Sequence, residues 1–119
     1  MEVYFKKKNK TLIIQIHGEI DHHTVKELRR LIENSFIEMG GRNIIFDYNG
    51  VSFMDSSGIG MLIGRYKELQ TFGGRVALIC VNEKINEILK LSGLTKLITC
   101  FQTLEDALNY TEGRENNAV

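Results

Sequence analysis

Proline is absent from this chain, cysteine occurs twice, and neither sign of charge is in surplus. Each shortage excludes something. Without proline, punctuation falls to glycine, at Gly40-Gly41, Gly73-Gly74 and Gly93, each just after a helical pattern where a left-handed cap residue is wanted. Fifteen basic residues balance fifteen acidic ones, whereas a nucleic-acid binder carries a basic surplus. The short clusters Lys6-Lys7-Lys8 and Arg29-Arg30 read as solvated surface. No apolar run approaches the roughly 20 residues that span a bilayer, and the N-terminus lacks the apolar stretch of a signal peptide. A cytoplasmic protein with neither a nucleic-acid nor a membrane partner is expected. Cys80 and Cys100 lie in apolar segments without metal-ligand spacing, so both read as buried, reduced thiols.

What is present suits a single globular domain: 119 residues, 43% of them hydrophobic and 25% charged, with no internal repeat or low-complexity linker. Periodicity fades at the end. The expectation is one domain over residues 1–112 and a frayed tail over 113–119.

Residues 2–6 and 11–17 pattern as two strands around the polar turn Lys7–Lys10, and Leu12–Ile16 is apolar enough for an interior strand. Gly18-Glu19-Ile20-Asp21-His22-His23 reads as a loop. Thr24 and Glu27 match a capping box before a helix whose buried face is Val25, Leu28, Leu31, Ile32, Phe36 and Met39. A strand over 43–48 and a helix over 57–72 follow, then a strand over 75–81. Asn82 caps a third helix, residues 97–101 form a short strand, and Thr103 with Asp106 opens a last helix. Such alternation implies an α/β domain with a mostly parallel sheet.

The second helix is rich in glycine. Gly58, Gly60 and Gly64 each cost about 1 kcal/mol relative to alanine in a helix interior, so something must compensate. Gly60 and Gly64, spaced i,i+4, suit close packing of the helix on the sheet; Gly58 suits an unobstructed surface for a docking partner.

Asp55-Ser56-Ser57 falls where the strand gives way to this helix, beside backbone N–H groups with no intrahelical partner. A serine there serves as an N-cap, or accepts a phosphate that adds about −1.5 to −2 charges. On the residues alone both stay open. Other chemistries fit worse. A dinucleotide fingerprint would need its third glycine one residue before Gly64, and no lysine completes a P-loop. Neither serine lies in Gly-x-Ser-x-Gly, and His17, His22 and His23 all precede them, against the order of an α/β-hydrolase triad. Adjacent His22 and His23 seldom aim at one metal ion, even with Glu19 and Asp21 nearby.

The segment Phe53-Met54-Asp55-Ser56-Ser57-Gly58-Ile59-Gly60 resembles the signature of the STAS-domain anti-sigma factor antagonists. Gly18-Glu19-Ile20-Asp21-His22-His23-Thr24 is a second match, closest to the sporulation members, and Gly64-Arg65-Tyr66-Lys67 and Leu91-Ser92-Gly93-Leu94 continue it across residues 3–110. The resemblance implies a single STAS domain, a mixed, mostly parallel sheet with helices packed on one side, and no catalysis, cofactor or metal. It implies that the unphosphorylated protein captures an anti-sigma factor, itself a serine kinase of the histidine-kinase-like ATPase fold, and frees a sigma factor. Phosphorylation at Ser56 ends the capture and a serine phosphatase restores it. Glu19, Asp21, His22, Asp55, Ser57, Gly58 and Ile59 then become the partner-binding residues around the switch. A general-stress role, or a STAS scaffold or nucleotide-sensing module, is the alternative. Tyr48 replaces a common leucine, which would alter the approach to the signature.

Overall fold

Strand residues that are apolar on both sides build a sheet that needs cover on both faces. In the computed structural model, which describes residues 1–114, β1 (Glu2–Lys8) and β2 (Thr11–Ile20) form a hairpin. Its turn places Asn9 in the left-handed region, φ 54°, which asparagine tolerates better than most residues. Then come α1 (Val25–Met39), β3 (Asn43–Met54), α2 (Ser56–Gln70), β4 (Val76–Ile79), α3 (Glu83–Leu91), β5 (Thr99–Phe101) and α4 (Leu104–Thr111). The strands lie in the order β1-β2-β3-β4-β5; β1 is antiparallel to β2 and every other pair is parallel. The mixed, mostly parallel sheet is as expected.

On one face, Leu12, Ile14 and Ile16 of β2 join Ile44, Phe46 and Tyr48 of β3 and Leu78 of β4. Val25, Leu28 and Ile32 of α1, Met61, Leu62 and Leu69 of α2, and Ile85 and Leu89 of α3 cover them. Burying each large side chain of this set contributes about 1.5–3 kcal/mol before the entropy cost. On the other face, Ile13, Ile45, Ala77 and Ile79 pack against Ala107 and Leu108 of α4. The helices therefore do not all lie on one side: α1–α3 share a face and α4 takes the opposite one. The cause is in the strands, where β2, β3 and β4 are apolar at consecutive positions and present two apolar faces.

A small buried polar group fastens α4. Asn43 Nδ2 donates to the Thr111 carbonyl at 2.9 Å, the hydroxyls of Thr11 and Thr111 lie 2.9 Å apart, and Asn43 Oδ1 accepts from the Arg75 N–H at 2.9 Å. Gly113 N–H returns to the Tyr110 carbonyl and Arg114 N–H to that of Asn109, the paired bonds of a Schellman cap. The first two residues of the expected tail thus close α4; residues 115–119 lie outside the described residues.

Two strands outrun their expected bounds. β2 continues through Gly18–Ile20, read as loop, and β3 continues from Tyr48 to Met54. Register shifts between Gln15 and His17 and between Gly18 and Glu19 put an extra β3 residue into each interval, so the inward β3 residues run Tyr48, Val51, Met54. Bulges break the period of two that marks a strand.

Candidate functional site

Because β2 and β3 are parallel and neighbours, their carboxyl ends emerge side by side. Ile20 pairs with Met54, and the Asp55 N–H donates to the Ile20 carbonyl at 3.2 Å. The segments 18–24 and 53–60, far apart in sequence, become one surface there. Loops at the carboxyl ends of parallel strands are where α/β sheets place their sites.

Asp55 organises the start of α2. It is the N-cap, with extended backbone, and one carboxylate oxygen accepts the Ser57 N–H at 2.9 Å. The other accepts the His22 N–H at 3.1 Å, across the gap between the two segments. Neither serine is the cap. Ser56 is the first residue of the helix and is exposed; among the described residues its hydroxyl has no hydrogen-bond partner. Ser57 is half-buried. The Asp55 side chain takes the Ser57 N–H and its carbonyl takes the Gly58 N–H, so fewer donors are left for a phosphate than a bare helix terminus offers.

The loop before α1 is tied down in a similar way. The Asp21 carboxylate accepts the N–H groups of His23 and Thr24, each at 2.9 Å. The Thr24 hydroxyl accepts the Asp21 N–H at 2.9 Å and donates to the Glu19 carbonyl at 3.0 Å. The expected capping box does not form: Thr24 makes no side-chain cap, and Glu27 binds Arg30 instead. Thr24 is committed to the turn before the helix, so its hydroxyl points back rather than forward.

Both aspartates are held below the usual carboxylate range. For Asp55 the chief cause is the Ser57 hydroxyl, helped by backbone N–H groups including that of His22 and opposed by desolvation. For Asp21 it is the Thr24 N–H, again against desolvation. Ser56 therefore follows one carboxylate that stays ionised at neutral pH, Asp55, while Asp21 holds a second on the neighbouring segment and exposed Glu19 lies on the adjacent end of β2. A phosphate added to Ser56 would enter an anionic neighbourhood.

The remaining candidates divide. His22 is exposed, its ring edge-on to His23 with centroids 5.4 Å apart, and Ile59 is half-buried against the core. Gly58 is buried and cannot be part of the surface. A Cβ there would sit 2.5 Å from Met54 Cγ and 3.1 Å from Ile20 Cγ2, while one at Gly60 or Gly64 would meet nothing within 4 Å. The expected roles of the glycines are thus reversed: Gly58 allows close packing, and Gly60 with Gly64 leaves the outer face of α2 bare. Tyr48 does not reach the signature at all. It is fully buried against Phe46 with ring centroids 6.0 Å apart, and it alters the core rather than the approach. Phe53, left out of the candidate set, is 41% exposed beside the switch. Its outward direction depends on the bulged register, which no local pattern announces.

The model of the STAS domain matches residues 2–107, and the chain belongs to that family. It is similar over nearly its whole length to an anti-sigma factor antagonist: 30% identical over 112 residues, 94% of this chain and 96% of the relative, to the anti-sigma F factor antagonist of Paenibacillus polymyxa. It is 29% identical over 85 residues, 71% of this chain and 78% of the relative, to the anti-sigma-B factor antagonist of Staphylococcus aureus strain NCTC 8325. Among solved structures, the anti-sigma factor antagonist SpoIIAA in its unphosphorylated form matches with a TM-score of 0.80 at 30% identity, over 97% of this chain and 100% of that one. The Bacillus cell fate determinant SpoIIAA in its phosphorylated form matches with a TM-score of 0.69 at 30% identity, over 92% and 98%. No helix among the described residues is long and apolar enough to cross a membrane.

Proposed function

We propose that this chain is a cytoplasmic, non-enzymatic anti-sigma factor antagonist of the SpoIIAA type, controlled by phosphorylation at Ser56. Unphosphorylated, it binds an anti-sigma factor serine kinase of the histidine-kinase-like ATPase fold and frees the sigma factor. The kinase phosphorylates Ser56 and releases it, and a serine phosphatase restores it. Glu19, Asp21, His22, Asp55, Ser57 and Ile59 surround the contact, with Gly58 as a packing residue beneath it.

The observation that carries this reading is the setting of Ser56: an exposed hydroxyl without a partner among the described residues, on the first turn of a helix, directly after the Asp55 carboxylate, whose position is fixed by backbone N–H groups. A hydroxyl so placed is open to an incoming γ-phosphate, and the same surroundings turn against a partner once the phosphate is attached. The solved relative in both phosphorylated and unphosphorylated forms supports the same assignment. Control of sporulation follows the similarity to the anti-sigma F factor antagonist; a general-stress role is favoured instead by the match to the anti-sigma-B factor antagonist.

The test is incubation with the cognate anti-sigma kinase and ATP, followed by mapping of the phosphate by mass spectrometry. Modification at Ser56 supports the assignment; modification at Ser57, or at neither serine, overturns it.

A further inference from the structure

At the end of α2 far from Ser56 lies an apolar hollow that the switch does not use. Phe36 and Ile37 of α1, with Leu69 and Phe72 at the close of α2, line a cavity of about 320 Å³ rimmed by Glu33 and Glu68. Ile37 is 81% exposed and Phe72 48%. Apolar side chains left in water around a concavity are the mark of a contact surface rather than of a fold.

The rim of this hollow carries one net negative charge. Arg65 sits between the helices, 2.8 Å from Glu68 and 3.8 Å from Glu33, but is only 15% exposed while both carboxylates are more than half exposed, so the surface offered to a partner is acidic. The last turn of α1 holds no basic residue, although a helix carboxyl end favours one. Lys7 of β1 brings its ammonium to the C-cap Gly40 instead.

The switch and the hollow are joined by α2. Ser56, Gly60, Gly64 and Glu68 follow one another at four-residue intervals along α2, and the two glycines leave the backbone bare between the ends. The helix is roughly 22 Å long, a span that one partner helix or loop covers.

Resting on the reading of the chain as a kinase-binding antagonist, we infer that this hollow seats a second contact of the same kinase. The occupant is a large apolar side chain flanked by lysine or arginine. A second copy of this chain fits poorly, because a two-fold contact centred here would set the exposed, net-negative rim of Glu33 and Glu68 against itself. About 20 Å from Ser56, the hollow lies beyond roughly two Debye lengths at physiological salt. It therefore adds affinity to both forms, while the Ser56 end alone reads the phosphate.

The experiment measures binding of the purified kinase to the wild type, Ile37→Glu and Phe72→Ser, each also in a Ser56→Asp background. Both positions are exposed, and unchanged denaturation midpoints confirm intact folding. The expected result is a loss of affinity of about fivefold or more for each variant, the same in both backgrounds. If the kinase binds the wild type and these variants equally, or the loss appears in one background only, the second contact is overturned and the kinase reading stands. If the kinase does not bind the wild type, the reading itself fails. If sedimentation shows a wild-type dimer that Ile37→Glu abolishes, the occupant is a second copy and the inference falls.

Discussion

The Asp55 carboxylate accepts the His22 backbone N–H at 3.1 Å while holding the Ser57 N–H at 2.9 Å, so one side chain joins the end of β2 to the start of α2. Its two duties separate by substitution. Asp55→Asn keeps one oxygen for the Ser57 N–H, since asparagine caps as well as aspartate, but removes the charge beside Ser56 and the second acceptor that holds the His22 N–H. It is expected to keep the fold, with faster amide exchange at His22, and to bind the kinase. Its phosphorylated form is expected to retain more affinity than phosphorylated wild type. Asp55→Ala loses the Ser57 cap as well, and is expected to lower the denaturation midpoint and speed amide exchange at Ser57. Titration of phosphorylated and unphosphorylated forms against the kinase checks the first claim, and hydrogen exchange the second.

Acid should loosen the same region. Asp21 and Asp55 have lowered pKa values in the folded chain, through the Thr24 N–H and the Ser57 hydroxyl respectively. The folded state then binds fewer protons than the unfolded one as they titrate. Their stabilisation is whole above the unfolded aspartate value of about 3.9 and is lost as pH falls through the lower folded values. The denaturant midpoint of wild type is expected to drop between about pH 5 and pH 3. The double variant Asp21→Asn/Asp55→Asn is expected to drop less across that window. Equal slopes would remove these two carboxylates from the account.

Tyr48 presents the opposite case, a polar atom that the fold leaves stranded. Its hydroxyl is buried without a hydrogen-bond partner among the described residues, and burial pushes the phenol well above its ordinary value, keeping it neutral. A buried group left unsatisfied costs about 1–3 kcal/mol. Tyr48→Phe keeps the ring against Phe46 and removes that cost. It is expected to raise stability by about 1 kcal/mol and to leave kinase affinity unchanged, as read by urea denaturation and direct binding.

Much of this was legible before any coordinates. The helix starts at Asn82 and Thr103 are capped as their spacing predicts, with Asn82 accepting the Lys84 and Ile85 N–H groups and Thr103 that of Asp106. Alternation of strand and helix was enough for a mostly parallel sheet. What escaped was non-local. The extension of β3 is hidden because its bulges depend on β2, and the cap at Asp55 is hidden by two neighbouring serines that are also good caps. The side taken by α4 depends on which sheet face lacked cover after α1–α3 had packed. The candidate residues around Ser56 come from the family resemblance. Their junction through His22 and Ile20 needed the parallel pairing itself.

The glycines of α2 separate packing from docking in one series. At Gly58 an added methyl would press on Met54 Cγ and Ile20 Cγ2, both buried. Overpacking costs about 1–3 kcal/mol, against a gain of about 1 kcal/mol from helix propensity, so Gly58→Ala is expected to destabilise by about 1 kcal/mol. At Gly60 and Gly64 the methyl meets nothing, so each alanine should stabilise by about 1 kcal/mol. The proposed docking of a kinase on this face would use the close approach that the two glycines permit. Gly60→Ala and Gly64→Ala are therefore expected to raise the denaturation midpoint while weakening capture of the kinase. Equal capture by both stabilised variants would show that nothing docks close to the α2 backbone.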